Sequence, residues 1–414
     1  MIKFREARLE NGLQLIFHHD ASSPMVAFNL LYKVGSRDED FQRTGFAHLF
    51  EHLMFGGSAN IPSFDRPLQE VGGDNNAFTS SDLTNYYITL PKESLETAFW
   101  LESDRMLKLA FTEKSLSVQK QVVVEEFKQR YLNQPYGDVM LLLRPLAYLK
   151  HPYQWPTIGK NMEHIEQAGM QEVKDFFYRF YRPNNAILSL AGNLDFEEVL
   201  KLTKKWFGDI PSAENIQRNY PLEENQVQER KLTVERDVPL DAIYKAYHMV
   251  DRLHPDYYAT DLISDLLAQG NSSRLFRTLV KEKEIFNDIS AYISGDIDPG
   301  LFLISAKLNP SVSMEKAETA LQAEIDRFCA ELISEEELNK VKNKIEAAHA
   351  FGQTSVLNKA MGLAISAFID QPDLINKEPG AYRKVSSEDI QQLAGKLFRK
   401  NNCSTLYYKA KNKK

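Results

Sequence analysis

The stretch 44–58, TGFAHLFEHLMFGGS, holds two of the chain's nine histidines, His48 and His52, with Glu51 between them. In an α-helix, residues i and i+4 lie on one face about one turn apart, so both imidazoles can bind one ion. Zinc is the natural candidate, because imidazole and carboxylate groups coordinate it and its catalytic sites keep a position for water. Glu51 projects beside the pair, where its carboxylate can take a proton from a water whose pKa the metal has lowered. The spacing is H-x-x-E-H, the reverse of H-E-x-x-H.

The alternative for this stretch is a helix turn whose histidines pack or face solvent without a metal. The side chains around the three polar residues are apolar: Leu49, Phe50, Leu53, Met54 and Phe55. Burial of a histidine without a ligand among such groups is costly. The surroundings therefore favour the metal site.

A catalytic zinc site normally has three protein ligands, so a third must come from elsewhere in the chain. The downstream stretch QKQVVVEEFKQRY carries Glu125 and Glu126 side by side on a predicted helix, where they point about 100° apart. We interpret Val122 and Val123 as the buried side of this helix. Glu126 follows them by four and three residues, which favours Glu126 as the inward-facing ligand and Glu125 as a solvent-facing residue.

Composition and charge exclude several classes of function. The chain has 50 basic and 57 acidic residues and a net charge of −7, which argues against a nucleic-acid surface. The longest apolar runs, 139–143 and 186–192, are far too short to span a bilayer. Residues 1–17 show no secretory signal, and Cys329 and Cys403 form no disulfide framework. We therefore expect a cytoplasmic protein.

At 414 residues the chain is long enough for two or three domains. The polar stretch 213–236 predicts a linker between an N-terminal domain, 1–212, and a C-terminal domain, 237–414. Apolar runs and alternation predict strands at 12–18, 25–35, 185–193 and 240–250, and two strands within 75–91. Helical spacing predicts helices at 94–107 and 115–133. A further helix is predicted to begin at Asp195, which would form a capping box with Glu198. We predict an α+β fold in which each half is a mainly antiparallel sheet packed with helices.

The second half repeats the order strand, loop, helix, Gly-x-Ser of the first half. Aligning Gly57 with Gly270 places Asp261, Ser264 and Asp265 at the positions of His48, Glu51 and His52. This register indicates duplicated halves of which only the first has kept the metal residues.

The chain resembles a known family in motifs that follow one another over nearly its whole length. They are HLFEHLMFGGS, VGGDNNAFTSSDLTNYY, QKQVVVEEF, HPYQWPTIG and FYRPNNAILSLAGNLD. These motifs resemble those of the inverted-zincin family of pitrilysin, insulin-degrading enzyme and mitochondrial processing peptidase, and the chain's length resembles its short, processing-peptidase-like branch. The resemblance implies a fold like that of processing peptidase and LuxS-type metallohydrolases, and zinc endopeptidase activity on short or unfolded peptides.

The resemblance also assigns roles to particular residues. His48, His52 and Glu126 match the zinc ligands of the family, and Glu51 matches its general base. Gln119 stands where many members carry a further glutamate, so a neutral group replaces a charged one beside the metal.

Residues Asn76, Ala77 and Phe78 match an edge strand that holds substrate backbone in the family. A peptide can add to such a strand by β-augmentation, which makes recognition of its sequence loose. The alternatives are that Asn76 is a turn residue after Gly72-Gly73 and that Phe78 is a core aromatic.

The second half departs from the family pattern at two positions. Matching on Ser272-Ser273-Arg274-Leu275 puts Val280 where the family has an arginine and Asn287 where it has a tyrosine. Arg277 and Tyr292 are near in sequence but out of register. Such groups stabilise the oxyanion of the tetrahedral intermediate, so their loss is expected to slow cleavage.

We therefore predict that this chain supplies the zinc site and the general base. A homologous partner subunit in a heterodimer is predicted to supply the arginine and tyrosine. A homodimer using another donor is the alternative. A non-catalytic scaffold and a peptide-binding module of the same fold are competing functions, and the intact metal residues argue against the scaffold.

Overall fold

The computed structural model describes residues 1–214 and 216–411. They form two compact units, each assembled from separated parts of the chain. Unit 1 comprises Met1–Gln129, Trp155–Tyr220 and His349–Lys377, and unit 2 comprises Arg130–Gln154, Pro221–Ala348 and Glu378–Lys414.

The domain boundaries given by composition, 1–212, 213–236 and 237–414, stay a prediction. Residue 215 of the predicted linker and residues 412–414 of the predicted C-terminal domain lie outside the described residues. Within the predicted linker, Arg230–Arg236 forms a strand.

Unit 1 is built on a six-stranded sheet with the order β1-β2-β6-β3-β5-β4. Its strands are β1 (Arg5–Arg8), β2 (Gln14–His19), β3 (Met25–Tyr32), β4 (Asp74–Thr79), β5 (Thr84–Pro91) and β6 (Ala186–Gly192). Neighbouring strands are antiparallel except β2 and β6, which are parallel. The apolar strands β3 and β6 lie in the middle of the sheet, whereas β4, which alternates exposed and half-buried residues, lies at its edge.

Helices cover both faces of this sheet. They are α1 (Phe46–Leu53), α2 (Asp65–Glu70), α3 (Leu95–Leu107), α4 (Glu113–Phe127), α6 (Met162–Glu166), α7 (Met170–Phe180), α8 (Phe196–Phe207) and α12 (Val356–Phe368). On one face, Leu31 packs with Leu363 and Ala364 of α12. On the other face, Phe28 meets Phe99 of α3 edge to face, with ring centroids 5.0 Å apart. Since both faces bury apolar side chains, the central strands β3 and β6 are apolar except for Asn29 and Ser189.

Unit 2 has a five-stranded sheet in the order β7-β11-β8-β10-β9. It repeats the sheet of unit 1 without a counterpart of β1. Its strands are β7 (Arg230–Arg236), β8 (Ala242–His248), β9 (Phe286–Ile293), β10 (Leu301–Leu308) and β11 (Cys403–Ala410). The pair β7 and β11 is parallel and the other pairs are antiparallel, as in the matching strands of unit 1. The predicted fold class, two homologous α+β halves, is therefore confirmed.

The helices that belong wholly or partly to unit 2 are α5 (Val139–Ala147), α9 (Tyr257–Ala268), α10 (Met314–Ala330), α11 (Glu335–Gly352), α13 (Leu374–Lys384) and α14 (Ser387–Leu397). Leu143 of α5 packs with Tyr244 and Leu303 on one face of the sheet. Phe302 and Ile304 belong to a second cluster on the opposite face, with α9, α10 and α14. Among residues 1–214 and 216–411, none of the helices combines the length and apolar character needed to cross a bilayer. The cytoplasmic location stays a prediction.

The Asp195 half of the predicted capping box is confirmed, since the Asp195 carboxylate at the N-cap of α8 accepts the N–H groups of Glu197 at 2.9 Å and Glu198 at 3.3 Å. We expect Asp195→Ala to lower the free energy of unfolding by about 1 kcal/mol, because it removes the acceptor for these helix donors. Asp195→Asn keeps an acceptor and should stay close to the parent chain. Urea denaturation followed by tryptophan fluorescence measures the difference. Equal unfolding midpoints for the parent and Asp195→Ala chains would contradict this role.

Candidate metal centre

A buried carboxylate holds the N-terminus of α1. Glu39 accepts the N–H groups of Gly45 and Ala47, each at 2.8 Å, and the indole N–H of Trp155 at 3.1 Å. Gly45 adopts φ +92°, and a Cβ there would lie 2.7 Å from the carbonyl oxygen of Ile158. Burial raises the pKa of Glu39 to about 8, against the lowering effect of the three N–H donors. The start of α1 is thus defined by contacts from outside the helix.

The apolar side of α1 is packed against the core of unit 1. Leu49 and Phe50 are fully buried, and the Phe50 ring stacks on Tyr181 with centroids 5.0 Å apart. The Tyr86 hydroxyl on β5 donates to the Phe50 carbonyl at 3.2 Å. These contacts fix which face of α1 meets the core of unit 1.

The structure brings His48, His52 and Glu126 together, with one possible ligand atom of each within 4.8 Å of the others. The Nε2 atoms of His48 and His52 lie 3.6 Å and 3.3 Å from Glu126 Oε2. The two imidazole rings are nearly perpendicular, with centroids 4.9 Å apart. In the described part of the chain this is the one cluster of His, Cys, Asp and Glu residues with metal-binding spacing.

This geometry fits zinc. Zinc bonds to nitrogen and oxygen are about 2.0–2.2 Å long, so the ligand atoms of a tetrahedral site lie roughly 3.3–3.5 Å apart. The two histidine–glutamate separations agree with that spacing. They are longer than the donor–acceptor distance of a charge-assisted N–H···O bond, which is about 2.7–2.9 Å. Two imidazoles and one carboxylate also form a common ligand set of catalytic zinc.

Glu126 lies on the inward side of α4, but the sequence argument for it was partly wrong. Val122 is 44% exposed, whereas Val123 is 1% exposed. The buried residues of α4 are Leu116, Val123, Val124 and Phe127, so the inward face is shifted by one residue. Glu125 is exposed and forms a 2.7 Å ion pair with Lys128.

Glu51 lies next to this cluster without belonging to it. Its Oε2 accepts the hydroxyl of Thr79, at the end of β4, at 2.5 Å. Burial raises the pKa of the Tyr86 and Tyr181 hydroxyls, and the charge of Glu51 adds to this effect in both.

Asn76, Ala77 and Phe78 lie in the edge strand β4, which pairs with β5 along Asp74–Thr79. Asn76 is a strand residue, so its interpretation as a turn residue is wrong, and its Oδ1 accepts the N–H of Ala77 at 2.8 Å. Phe78 is 37% exposed, which excludes a core role. Their contact with substrate stays a prediction.

The matching positions of unit 2 carry a different set of partners. Asp261 accepts the hydroxyl of Tyr382 at 2.6 Å, and Asp265 accepts the ammonium group of Lys344 on α11 at 3.0 Å. Burial raises the pKa of Asp261. The ammonium group of Lys344 therefore lies beside Asp265, the residue aligned with His52.

The two positions that depart from the family pattern lie in and after a π-helical segment, Phe276–Glu282. Val280 is half-buried against the core of unit 2, and Asn287 is exposed on β9. Arg277 is exposed and lies 3.6 Å from Glu282, and Tyr292 is 43% exposed on β9.

Glu39 and Thr79 also contact α1, and no local sequence pattern predicts this. Glu39 carries no motif and lies nine residues before His48. The alternation of β4 places Thr79 on the same face as Ala77, but nothing local shows that this face meets Glu51.

Fold and site together define a two-half protein of the metallohydrolase type, with its candidate metal ligands in the first half. The family model described as insulinase (peptidase family M16) matches residues 14–156, and that described as peptidase M16 inactive domain matches residues 168–345. The chain belongs to peptidase family M16.

Individual relatives agree with this assignment. Zinc protease PqqE of Helicobacter pylori is 29% identical over 98% of this chain and 93% of its own length. The probable mitochondrial-processing peptidase subunit beta of Schizosaccharomyces pombe is 26% identical over 72% of this chain and 68% of its own length. The crystal structure of a protease from Helicobacter pylori superposes with a TM-score of 0.93 and 28% identity, covering 99% of this chain and 100% of that one. Relatives named as zinc proteases support a zinc-dependent peptidase in general terms.

We expect Glu126→Gln to weaken zinc binding by more than roughly 100-fold, because the loss of even an outer-shell partner costs about 10–100-fold. Competition with a chromophoric chelator measures the affinity. Glu125→Gln is the matched control, with the same change on the neighbouring exposed residue. Equal affinities in the two variants would remove Glu126 from the ligand set.

Proposed function

We propose that this chain is the zinc-binding subunit of an endopeptidase that cleaves short or unfolded peptides. The observation that carries the proposal is the convergence of His48, His52 and Glu126 beside Glu51. In this proposal the two histidines and Glu126 hold the metal. A bound zinc ion supplies a Lewis acid that polarises a peptide carbonyl and lowers the pKa of water toward neutrality.

Glu51 is proposed as the general base and acid. Its carboxylate takes a proton from the attacking water and delivers it to the amine that leaves when the peptide bond breaks. The carboxylate is half-exposed and separate from the three ligands, so it can meet both water and substrate.

The edge strand β4 is proposed to hold the substrate backbone. In the described residues its one strand partner is β5, and an extended peptide can add on the open side through main-chain hydrogen bonds. Asn76, Ala77 and Phe78 form the middle of this edge. Recognition through the backbone selects extended, unfolded segments more than particular sequences.

A partner subunit is proposed to complete the centre. Val280 and Asn287 offer neither a guanidinium nor a phenol group at the positions where the family has them. A homologous subunit carrying both residues would supply the missing donors, and the substrate would be enclosed between the two subunits. The relative from Schizosaccharomyces pombe, named as a subunit of a processing peptidase, supports an assembly of this kind.

We expect Glu51→Gln to lower kcat by about 10²–10⁴-fold, the usual contribution of a general base, while zinc content stays at the parent level. Turnover of a fluorogenic unfolded peptide and metal analysis of the same samples measure the two quantities. Glu125→Gln serves again as the control for a glutamate lost elsewhere in the unit. A Glu51→Gln chain with parental turnover would exclude Glu51 from the reaction.

We expect the isolated chain with zinc to cleave peptides slowly and a homologous subunit carrying the arginine and tyrosine to raise kcat by about 10²–10³-fold, the usual effect of an oxyanion donor. The subunit to use is the one that co-purifies with this chain from its native source. Rapid turnover by the isolated chain, unchanged by the added subunit, would contradict the proposal that a partner supplies the arginine and tyrosine.

A further inference from the structure

The hydroxyl of Thr79 forms the hydrogen bond to Glu51 described above, across 28 residues of sequence. The bond is 2.5 Å long and partly buried. Hydroxyl-to-carboxylate bonds of about 2.5–2.7 Å are the strong, charge-assisted kind. Such a bond restricts the rotation of a glutamate side chain, which otherwise samples several rotamers.

Contacts within the sheet hold the backbone of Thr79 in place. It ends β4, opposite the fully buried Thr84 of β5. The turn that follows is closed by a bond from the Ser80 N–H to the Leu83 carbonyl at 2.8 Å. Because its side chain is β-branched, Thr79 also has few χ1 rotamers.

The turn is fixed to the rest of unit 1 as well. Arg37 and Asp82 form a buried ion pair at 2.8 Å, and the Arg37 N–H donates to the Ser81 carbonyl at 2.9 Å. The backbone position of Thr79 is therefore set by the sheet and its turn.

The strand that supplies the Thr79 hydroxyl to Glu51 Oε2 is the strand that is proposed to hold the peptide. Thr79 also directly follows Asn76, Ala77 and Phe78 along β4. A peptide added to this strand would therefore lie in a fixed relation to Glu51, because one strand holds both.

We infer that Thr79 is a positioning residue for Glu51: its hydroxyl holds the carboxylate of the base in register with the strand that receives the peptide. This inference rests on the proposed function. It extends that function because a residue of β4, outside the H-x-x-E-H helix, aligns the base with the substrate.

The test compares Thr79→Val, which removes the hydroxyl and keeps the shape, with Thr79→Ser, which keeps the hydroxyl. We expect Thr79→Val to lower kcat by about 10- to 100-fold, as a base displaced by about an ångström would. KM, zinc content and the unfolding midpoint should stay at parental values, and Thr79→Ser should recover most of kcat. Thr89→Val is the control, because it removes a hydroxyl from β5 on the opposite face of the sheet.

Two results would overturn the inference. One is parental kcat in Thr79→Val, and the other is a loss of kcat that Thr79→Ser shares or that follows a loss of zinc or stability. In the Glu51→Gln background, Thr79→Val should cause no further loss, since no base remains to be positioned. A further loss there would assign Thr79 another role.

A readout without turnover separates this inference from the proposed function. Crystal structures of the parent and Thr79→Val chains should show Glu51 in one rotamer with the hydroxyl and in several without it. One shared Glu51 conformation would overturn the inference even if the parent chain is an active peptidase. An inactive parent chain with zinc and partner present would instead overturn the proposed function.

Discussion

The geometry of the site depends on how the N-terminus of α1 is held. This helix has eight residues, Phe46–Leu53, and helices of that length are marginal without tertiary support. The buried Glu39 carboxylate supplies that support by accepting two N–H groups at the start of the helix. Packing of Leu49 and Phe50 sets the rotation of the helix about its axis. The position of both imidazoles follows from these two constraints.

The two halves carry different polar side chains on one arrangement of strands and helices. In unit 1, α1 presents two histidines and α4 presents Glu126. In unit 2, α9 presents Asp261 and Asp265, and α11 presents Lys344. Two carboxylates one turn apart repel each other, and the ammonium group of Lys344 offsets part of that repulsion. Helix α9 of unit 2 thus has an ion-paired carboxylate, Asp265, at the position where α1 of unit 1 has the candidate ligand His52.

The edge strand β4 links the parts of unit 1 that are proposed to act on a peptide. An edge strand exposes unpaired main-chain groups, which usually endangers a protein through aggregation. Here the edge is short, and Asn76 already bonds one of its N–H groups. The strand lies close enough to α1 for Thr79 to reach Glu51. Proximity of β4 and α1 brings the proposed base and the proposed peptide site together, and the Thr79 hydroxyl joins them.

The sequence by itself determined the features that depend on local periodicity. The four-residue spacing of His48 and His52 on a helix, the cap at Asp195 and the repeated order of strands and helices all follow from short-range patterns. Such patterns show which face of an element is apolar, though a single misjudged residue, Val122, shifts that face.

Only the tertiary structure decided which distant elements meet. It placed Glu126, 74 residues after His52, within 3.3 Å of that imidazole, and it brought Glu39 and Thr79 to the two ends of the site. It also assigned Arg130–Gln154 to unit 2 and His349–Lys377 to unit 1, across the boundary that composition predicts. The physical reason is that periodicity encodes the face an element buries, whereas its partner is selected by the packing of the whole unit.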